Sequence, residues 1–265
     1  MNIPHKSVPI ADLHREPLRQ LLTALADDHL ILGHRHSEWT GLGPILEEDI
    51  AFSSIAQDQM GHALGFYTLL HEHLGAPDPD IHAFTRQETE FSCCQLVEWP
   101  IGDYDFSLTR HLFFDLAAGL RMETLSLSSF TPLAQLATKI RGEVKYHMFH
   151  AKTMVGQLGN SSDETAKARM QTAINRQFGL ALGMFEPRLG EQILDDAHIA
   201  PIESKWKERW LEALNAVLDG TGLQIPDPDR IEPVYGGRNG YHTEYLQPLL
   251  HEMTEVFRLD PQAEW

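Results

Sequence analysis

The feature that most constrains the fold of this chain is a set of four long stretches whose apolar residues recur at helical spacing. In the first stretch, leucines recur about every three to four residues from Leu18 to Leu25, and Pro17 suits the first turn of a helix. Glycine and proline residues separate the stretches. No run of alternating apolar and polar residues is long enough for a credible strand. The chain is therefore predicted to be all-α with a four-helix bundle core. The four expected helices span about residues 16–39, 45–74, 107–128 and 133–158.

Shorter helical stretches follow the four long ones and are expected to pack around the bundle. The first of these follows a turn at 159–162 and ends near residue 185. The remaining ones are expected at 190–197, 202–218 and 241–258. Residues 84–100 should form a short helix followed by a loop, and the many glycines and prolines of 219–239 predict a long loop. We expect one domain over residues 1–265, with a loose N-terminal extension at 1–15.

Charge narrows the possible partners of the chain. It has 21 Lys and Arg against 38 Asp and Glu, a formal net charge of -17. Binding to nucleic acid needs an excess of basic residues, so no nucleic-acid partner is expected. No window approaches ~20 uninterrupted apolar residues, which predicts no membrane span. The first residues lack the pattern of a signal peptide, so a cytoplasmic location is expected.

The two cysteines, Cys93 and Cys94, are adjacent in the chain. Adjacent cysteines do not form an ordinary structural bridge, so no disulfide framework is predicted. Their spacing does not suit a metal site, and no base lies close in sequence to activate a catalytic thiol. The chain also lacks the glycine-rich phosphate loops and the nucleophile elbow of other enzyme classes.

Two histidines, His62 and His147, lie near the middle of the second and fourth expected helices. In a di-iron carboxylate bundle, two helices each contribute a glutamate and two others each contribute Glu-x-x-His. Here the residues three positions before the histidines are Gln59 and Val144. Glutamine is a weak neutral ligand and valine is none, so two iron ions would lack bridging carboxylates in a low-dielectric core. The site is predicted to be disabled, with no catalytic, cofactor-binding or metal-binding residue in this chain.

An alternative interpretation keeps a metal site in use. Asp58 and Glu143 lie four residues before His62 and His147, and this spacing can also place two side chains on one helix face. Acids on the first and third helices could complete the site, which would make the chain a di-iron or mixed-metal oxidase in its own right. The candidate ligands are then Asp58, His62, Glu143, His147, Asp115 and Asp28.

A third interpretation treats these polar residues as part of the core. A histidine on an inward helix face is more often hydrogen-bonded than metal-bound. Mid-helix acids such as Asp27, Asp28 and Asp115 could pair with basic groups in buried networks. The partners considered are Arg35, Arg121 and His62. The other histidines share no common spacing and are interpreted mostly as surface residues. These include His34, His36, His71, His73 and His150.

Five segments, taken in order, resemble one protein family. They are LILGHRHSEW at 30–39, LEEDIA at 46–51, AFTR at 83–86, GGRNGYHTEYL at 236–246 and QAEW at 262–265. Each is moderately specific by itself. In this order they resemble the C-type structural subunits of the bacterial ring-1,2-phenylacetyl-CoA epoxidases, over nearly the whole chain from about residue 25. The chain departs from that pattern at His62, where a glutamine is expected, and in a longer N-terminal segment.

The resemblance implies a ferritin-like helical fold and a heteromeric complex. In such a complex a homologous catalytic subunit holds the di-iron centre, and a reductase component delivers electrons from a reduced nicotinamide cofactor. The implied reaction inserts one oxygen atom from O₂ into the ring of phenylacetyl-CoA, in aerobic phenylacetate degradation. This chain is expected to be a non-catalytic, stabilising subunit that has no cofactor of its own. For the chain alone, a homodimer is one assembly considered, and the sequence does not decide whether it forms.

Overall fold

Ten α-helices and no β-strand lie within residues 10–260, the residues that the computed structural model describes. The helices are α1 (Asp12–Ser37), α2 (Leu46–Leu74), α3 (Pro79–Phe84), α4 (Gln95–Glu98), α5 (Tyr104–Leu125), α6 (Thr131–Gly159), α7 (Glu164–Leu182), α8 (Glu191–Asp196), α9 (Glu203–Leu218) and α10 (Leu246–Thr254). The prediction of an all-α fold is confirmed. Residues 1–9 of the expected N-terminal extension and the motif at 262–265 lie outside the described residues.

The four long helices α1, α2, α5 and α6 form two closely packed pairs. α1 packs along α2 and α5 packs along α6, while α2 also contacts α6. Their ends follow local chemistry: Pro132 lies in the first turn of α6, and Gly75 ends α2 in the left-handed conformation that glycine adopts most readily. α1 begins at Asp12, earlier than predicted, because the helix continues through Pro17. The exposed Leu13 lies one turn before Pro17, so its unpaired carbonyl can be solvated there.

Apolar side chains fill the space between the helices. Leu21 and Leu22 of α1 are fully buried in the bundle. On its other side α5 packs against α7 and α9. There the Trp210 ring of α9 stacks on Phe178, and its indole N–H donates a 3.0 Å hydrogen bond to the carbonyl oxygen of Phe113. The later helices therefore extend the core of the bundle.

The segment after α9 runs back over the molecule. It has two short 3₁₀ turns, Pro228–Arg230 and Gly237–Asn239, and otherwise it is the loop that was predicted for 219–239. At Gly237 the backbone lies so close to the carbonyl oxygen of Cys93 that a Cβ atom would not fit. This close approach holds the segment against the chain just before α4.

The last helix was predicted to begin at residue 241, but α10 begins at Leu246, so this prediction is wrong. The reason is a tertiary contact. The buried carboxylate of Glu98 accepts hydrogen bonds from the Thr243 backbone N–H at 2.6 Å and from the Thr243 hydroxyl at 2.7 Å, and it also binds His242 at 2.7 Å. These bonds hold the residues before Leu246 in a non-helical conformation.

Within residues 10–260, no helix combines the length and the apolar character needed to cross a lipid bilayer.

Candidate functional site

Polar side chains from all four long helices meet at the centre of the bundle. The Gln59 side chain from α2 donates a 3.2 Å hydrogen bond to Oδ1 of Asp115 on α5, and its carbonyl oxygen Oε1 bonds Nδ1 of His29 on α1. Nδ1 of His147, on α6, lies 3.1 Å from the same Asp115 oxygen. These four side chains are buried. The sequence-predicted His147 and Asp115 are therefore brought together.

Two further acid–histidine pairs lie at the edge of this centre. Nε2 of His147 is 3.0 Å from Oδ2 of Asp58, and Nε2 of His62 is 2.7 Å from Oε2 of Glu143. Each acid was expected to share a helix face with the histidine four residues later. The structure instead pairs each acid with the histidine of the opposite helix, since α2 and α6 lie side by side. Asp58 and Glu143 are more than one-third exposed, whereas both histidines are buried.

The charge states follow from burial and from these contacts. Burial alone would raise the pKa of Asp115, but attraction to and hydrogen bonding with His111 and His147 outweigh burial and hold the pKa well below its usual value. Burial lowers the pKa of His147, yet its bonds to Asp115 and then Asp58 reverse the shift and raise it. Burial, followed by the neighbouring His29 and His147, lowers the pKa of His62 to about 2. His62 is thus a neutral imidazole at pH 7.

Asp28, the remaining candidate ligand, does not join the bundle centre. Its carboxylate forms a two-point ion pair with Arg238, at 2.8 Å for both bonds, and accepts the backbone N–H of Cys94 at 2.7 Å. The neighbouring Asp27 binds Arg86 in a similar way. The sequence predicted that Asp27 and Asp28 could lie in buried networks, but with different basic partners.

Arg35, Arg121 and His62, the partners predicted for these acids, bind other groups. Arg121 bonds Glu203 at 2.9 Å, and Arg35 donates to the carbonyl oxygen of Glu98 at 2.7 and 2.9 Å. His62 bonds Glu143. The predicted pairings of Asp27, Asp28 and Asp115 with these three residues are therefore wrong, because the C-terminal segment supplies Arg238 and the chain between α3 and α4 supplies Arg86.

A second group of histidines lies further along the bundle. Nδ1 of His111 is 2.6 Å from Oδ2 of Asp115, and its Nε2 is 3.1 Å from Nδ1 of His150. His36 is fully buried beside them. The surface interpretation is wrong for His36 and His150, and His111 was not considered. The sequence contains a signal for His36 and His111. His36 follows His29 by seven residues and His111 precedes Asp115 by four, and each spacing keeps the two side chains on one helix face.

The donor set at the bundle centre does not fit a di-iron centre. Two irons in such a bundle are held by about four carboxylates and two histidines. Here the buried side chains of the centre include one carboxylate, that of Asp115, beside Gln59, His29 and His147. The apolar Val144 stands where α6 would supply an acid. Hydrogen bonds join Asp115 and Gln59 to the neighbouring histidines. This arrangement stabilises a polar core.

The cluster of Cys93, Glu98 and His242 is also structural in character. Cys93 Sγ lies 3.7 Å from Glu98 Oε1 and 3.9 Å from His242 Nδ1. Burial, and next the charge of Glu98, raises the pKa of the Cys93 thiol well above its usual value, so it stays protonated and unreactive. Glu98 and His242 bind the residues before α10, as described above.

The two helices that border the edge pairs carry large apolar side chains exposed to solvent. Ile50 and Leu64 lie on α2, and Tyr146 and Phe149 lie on α6, all with more than half of their surface exposed. Exposed apolar side chains mark a surface that another protein covers where they form one patch.

Comparison with known proteins gives two matches. The model of a family described as phenylacetic acid catabolic protein matches residues 1–265. A protein of Escherichia coli (strain K12), described as the C subunit of 1,2-phenylacetyl-CoA epoxidase, is 32% identical over 242 residues, which cover 91% of this chain and 96% of the relative.

Proposed function

This chain belongs to the family of phenylacetic acid catabolic proteins, and from that membership we propose that it is a non-catalytic, stabilising subunit of a di-iron monooxygenase that epoxidises the ring of phenylacetyl-CoA. The observation that carries the proposal is the donor set of the bundle centre. Gln59 and Val144 stand at the two positions where the Glu-x-x-His motifs need acids. The chain keeps the fold of a di-iron bundle without the charges that such a centre requires.

A closed network of hydrogen bonds takes the place of the metal centre. Gln59 bridges His29 and Asp115, and Asp115 also bonds His111 and His147. Buried polar groups stabilise a fold when each has its partner, and they cost free energy when they do not. A subunit that only supports its partner benefits from such a network, whereas a catalytic metal centre needs a coordination position that substrate or oxygen can reach.

The partner that this proposal requires is a homologous catalytic subunit that holds the di-iron centre, and a reductase component would supply its electrons. The exposed apolar residues of α2 and α6 support a large subunit interface on this side of the bundle. Obligate interfaces commonly bury ~2,000 Å² or more and are apolar at their centre. The partly exposed carboxylates of Asp58 and Glu143 lie on the same two helices.

Iron content tests the proposal. The chain would be purified alone from iron-replete cells and, separately, co-purified with its candidate catalytic partner, and iron per chain would be measured by mass spectrometry. We expect well under one iron for the chain alone and about two per complex, as a single di-iron centre requires. Two irons in the lone chain would contradict the proposal. They would support the alternative of a di-iron oxidase built on His62 and His147.

A further inference from the structure

His36 is a buried imidazole whose ring nitrogens both lack a hydrogen-bond partner among the described residues. Its side chain is fully buried, and it lies between the ring of Phe52, at 5.2 Å, and the ring of His111, at 5.6 Å. Burial, followed by the nearby His111 and Arg110, lowers its pKa well below the usual value, so the ring is neutral and offers a lone pair. A buried polar group without a partner in the protein is satisfied by something outside it, such as a water or an ion.

Two further donors converge on His36. His36, His111 and Asp115 can each place one ligand atom so that the three atoms lie within 4.8 Å of one another. All three residues are fully buried. They come from two helices, with His36 on α1 and the other two on α5. An ion bound there would satisfy His36 and would replace the hydrogen bond between His111 and Asp115, without rearrangement of the helices.

His150 supports this group from outside it. Its Nδ1, on α6, is 3.1 Å from Nε2 of His111, the ring nitrogen that points away from Asp115. Nε2 of His150 lies 3.1 Å from both carboxylate oxygens of Glu48. In metal sites a histidine ligand commonly donates its second N–H to an acceptor, which fixes the orientation of the ring.

We propose that His36, His111 and Asp115 bind one divalent transition-metal ion of the zinc class, with His150 bonded to the second ring nitrogen of His111. Imidazole nitrogens with a single carboxylate suit Zn²⁺ and related ions, whereas Ca²⁺ and Mg²⁺ prefer oxygen donors. The carboxylate of Asp115 balances part of the charge. With three protein donors in a buried position, the ion joins α1 to α5 and acts in stability.

This position is distinct from the bundle centre. His36 lies seven residues beyond His29 on α1, which is about 10 Å along a helix. It shares Asp115 with the centre but uses neither His62 nor Glu143. The inference goes beyond the proposed function and does not depend on it, because a structural ion fits a catalytic or a non-catalytic subunit equally well.

The experiment measures zinc binding to the full chain after removal of metals with a chelator. Zn²⁺ would be titrated by calorimetry, and bound metal would be measured after gel filtration. The test variant is His36→Gln, which removes the unpartnered ring. His34→Gln, a half-buried histidine on the same helix, is the matched control, and His62→Gln reports on the bundle centre. We expect about one zinc per chain for the wild type and both controls, a higher melting temperature with zinc, and at least a tenfold loss of affinity in His36→Gln, as for loss of a ligand.

Absence of zinc uptake by the wild type, or equal uptake by His36→Gln, would overturn the inference. If His36→Gln does not fold, Co²⁺ binding to the wild type still decides, because four-coordinate cobalt absorbs strongly in the visible range and a weak six-coordinate spectrum would overturn the inference. If the wild-type chain purified with two irons and His62→Gln with none, the proposed function would be overturned instead. Failure of the zinc site and failure of the proposed function are therefore distinguishable.

Discussion

The imidazole of His62 lies against the rings of His29 and His147 and bonds the half-exposed carboxylate of Glu143. Burial and these neighbours lower its pKa in the folded protein to about 2, against 6.5 as the ordinary value. Between these two values the unfolded chain binds one more proton than the folded protein at this residue. The contribution of His62 to stability is therefore complete above about pH 6.5 and declines as the pH falls below it.

This difference predicts a pH effect that a His62→Gln variant should lack. From pH 7.5 to 5.5, the free energy of unfolding of the wild type should fall by about 1.4 kcal/mol more than that of the variant. The reason is that pH 5.5 lies about one unit below the pKa of a histidine in the unfolded chain, and one pH unit corresponds to about 1.4 kcal/mol for one titrating group. Urea denaturation at both pH values measures it. The other buried histidines are common to both proteins and cancel in the comparison. Parallel pH curves would contradict a neutral, buried His62.

The spacing of single residues predicted part of the candidate site. His62, His147 and Asp115 were identified from their mid-helix positions, and the structure places all three at or beside the bundle centre. The pairing of Asp58 with His147 could not be predicted, because it depends on how far α2 is shifted along α6. The seven-residue spacing places His29 and His36 on one face of α1, but only the packed structure shows that this face turns inward.

At the scale of helices and segments, one ion pair ties the C-terminal segment to α1. Arg238 bonds both oxygens of Asp28, and it also donates to the carbonyl oxygen of Ser92 at 2.7 Å. Both side chains of the pair are almost fully buried. Removal of one partner from a buried ion pair leaves an uncompensated charge in a low-dielectric interior, which costs more than the pair itself contributes.

The variant Arg238→Ala should therefore lose about 3–5 kcal/mol of unfolding free energy. Hydrogen exchange should increase first in residues 236–246, which this ion pair holds in place. Arg230→Ala is the matched control, because Arg230 lies on the same segment in an exposed ion pair with Asp227 and should change stability little. Equal destabilisation by the two variants would show that the buried ion pair does not anchor the segment.

The positions of the long helices could be predicted well from the sequence, since glycine and proline mark their ends. α2 was expected at 45–74 and spans Leu46–Leu74. The start of α10 could not be predicted, because a distant residue, Glu98, binds Thr243 and prevents the helix from beginning there. Local periodicity contains no information about such a contact.

At the scale of the whole molecule, the chain combines a di-iron type of bundle, an interior without the acids of a di-iron centre, and exposed apolar side chains on α2 and α6. The fold and the family are those of phenylacetate catabolic proteins. What separates a stabilising subunit from a catalytic one is whether the histidines of this chain take part in the chemistry. A reconstituted complex answers that question most directly.

Turnover of the complex with a His62→Gln subunit is the most direct test. The complex would be reconstituted with the proposed catalytic partner and the proposed reductase. Oxygen consumption dependent on phenylacetyl-CoA would be measured per mole of purified complex, which separates a loss of activity from weaker assembly. We expect a rate within about twofold of the wild type, because loss of a residue outside a metal centre does not alter its ligands. A loss of about a hundredfold, together with loss of iron from this chain, would contradict the non-catalytic role and identify His62 as a metal ligand.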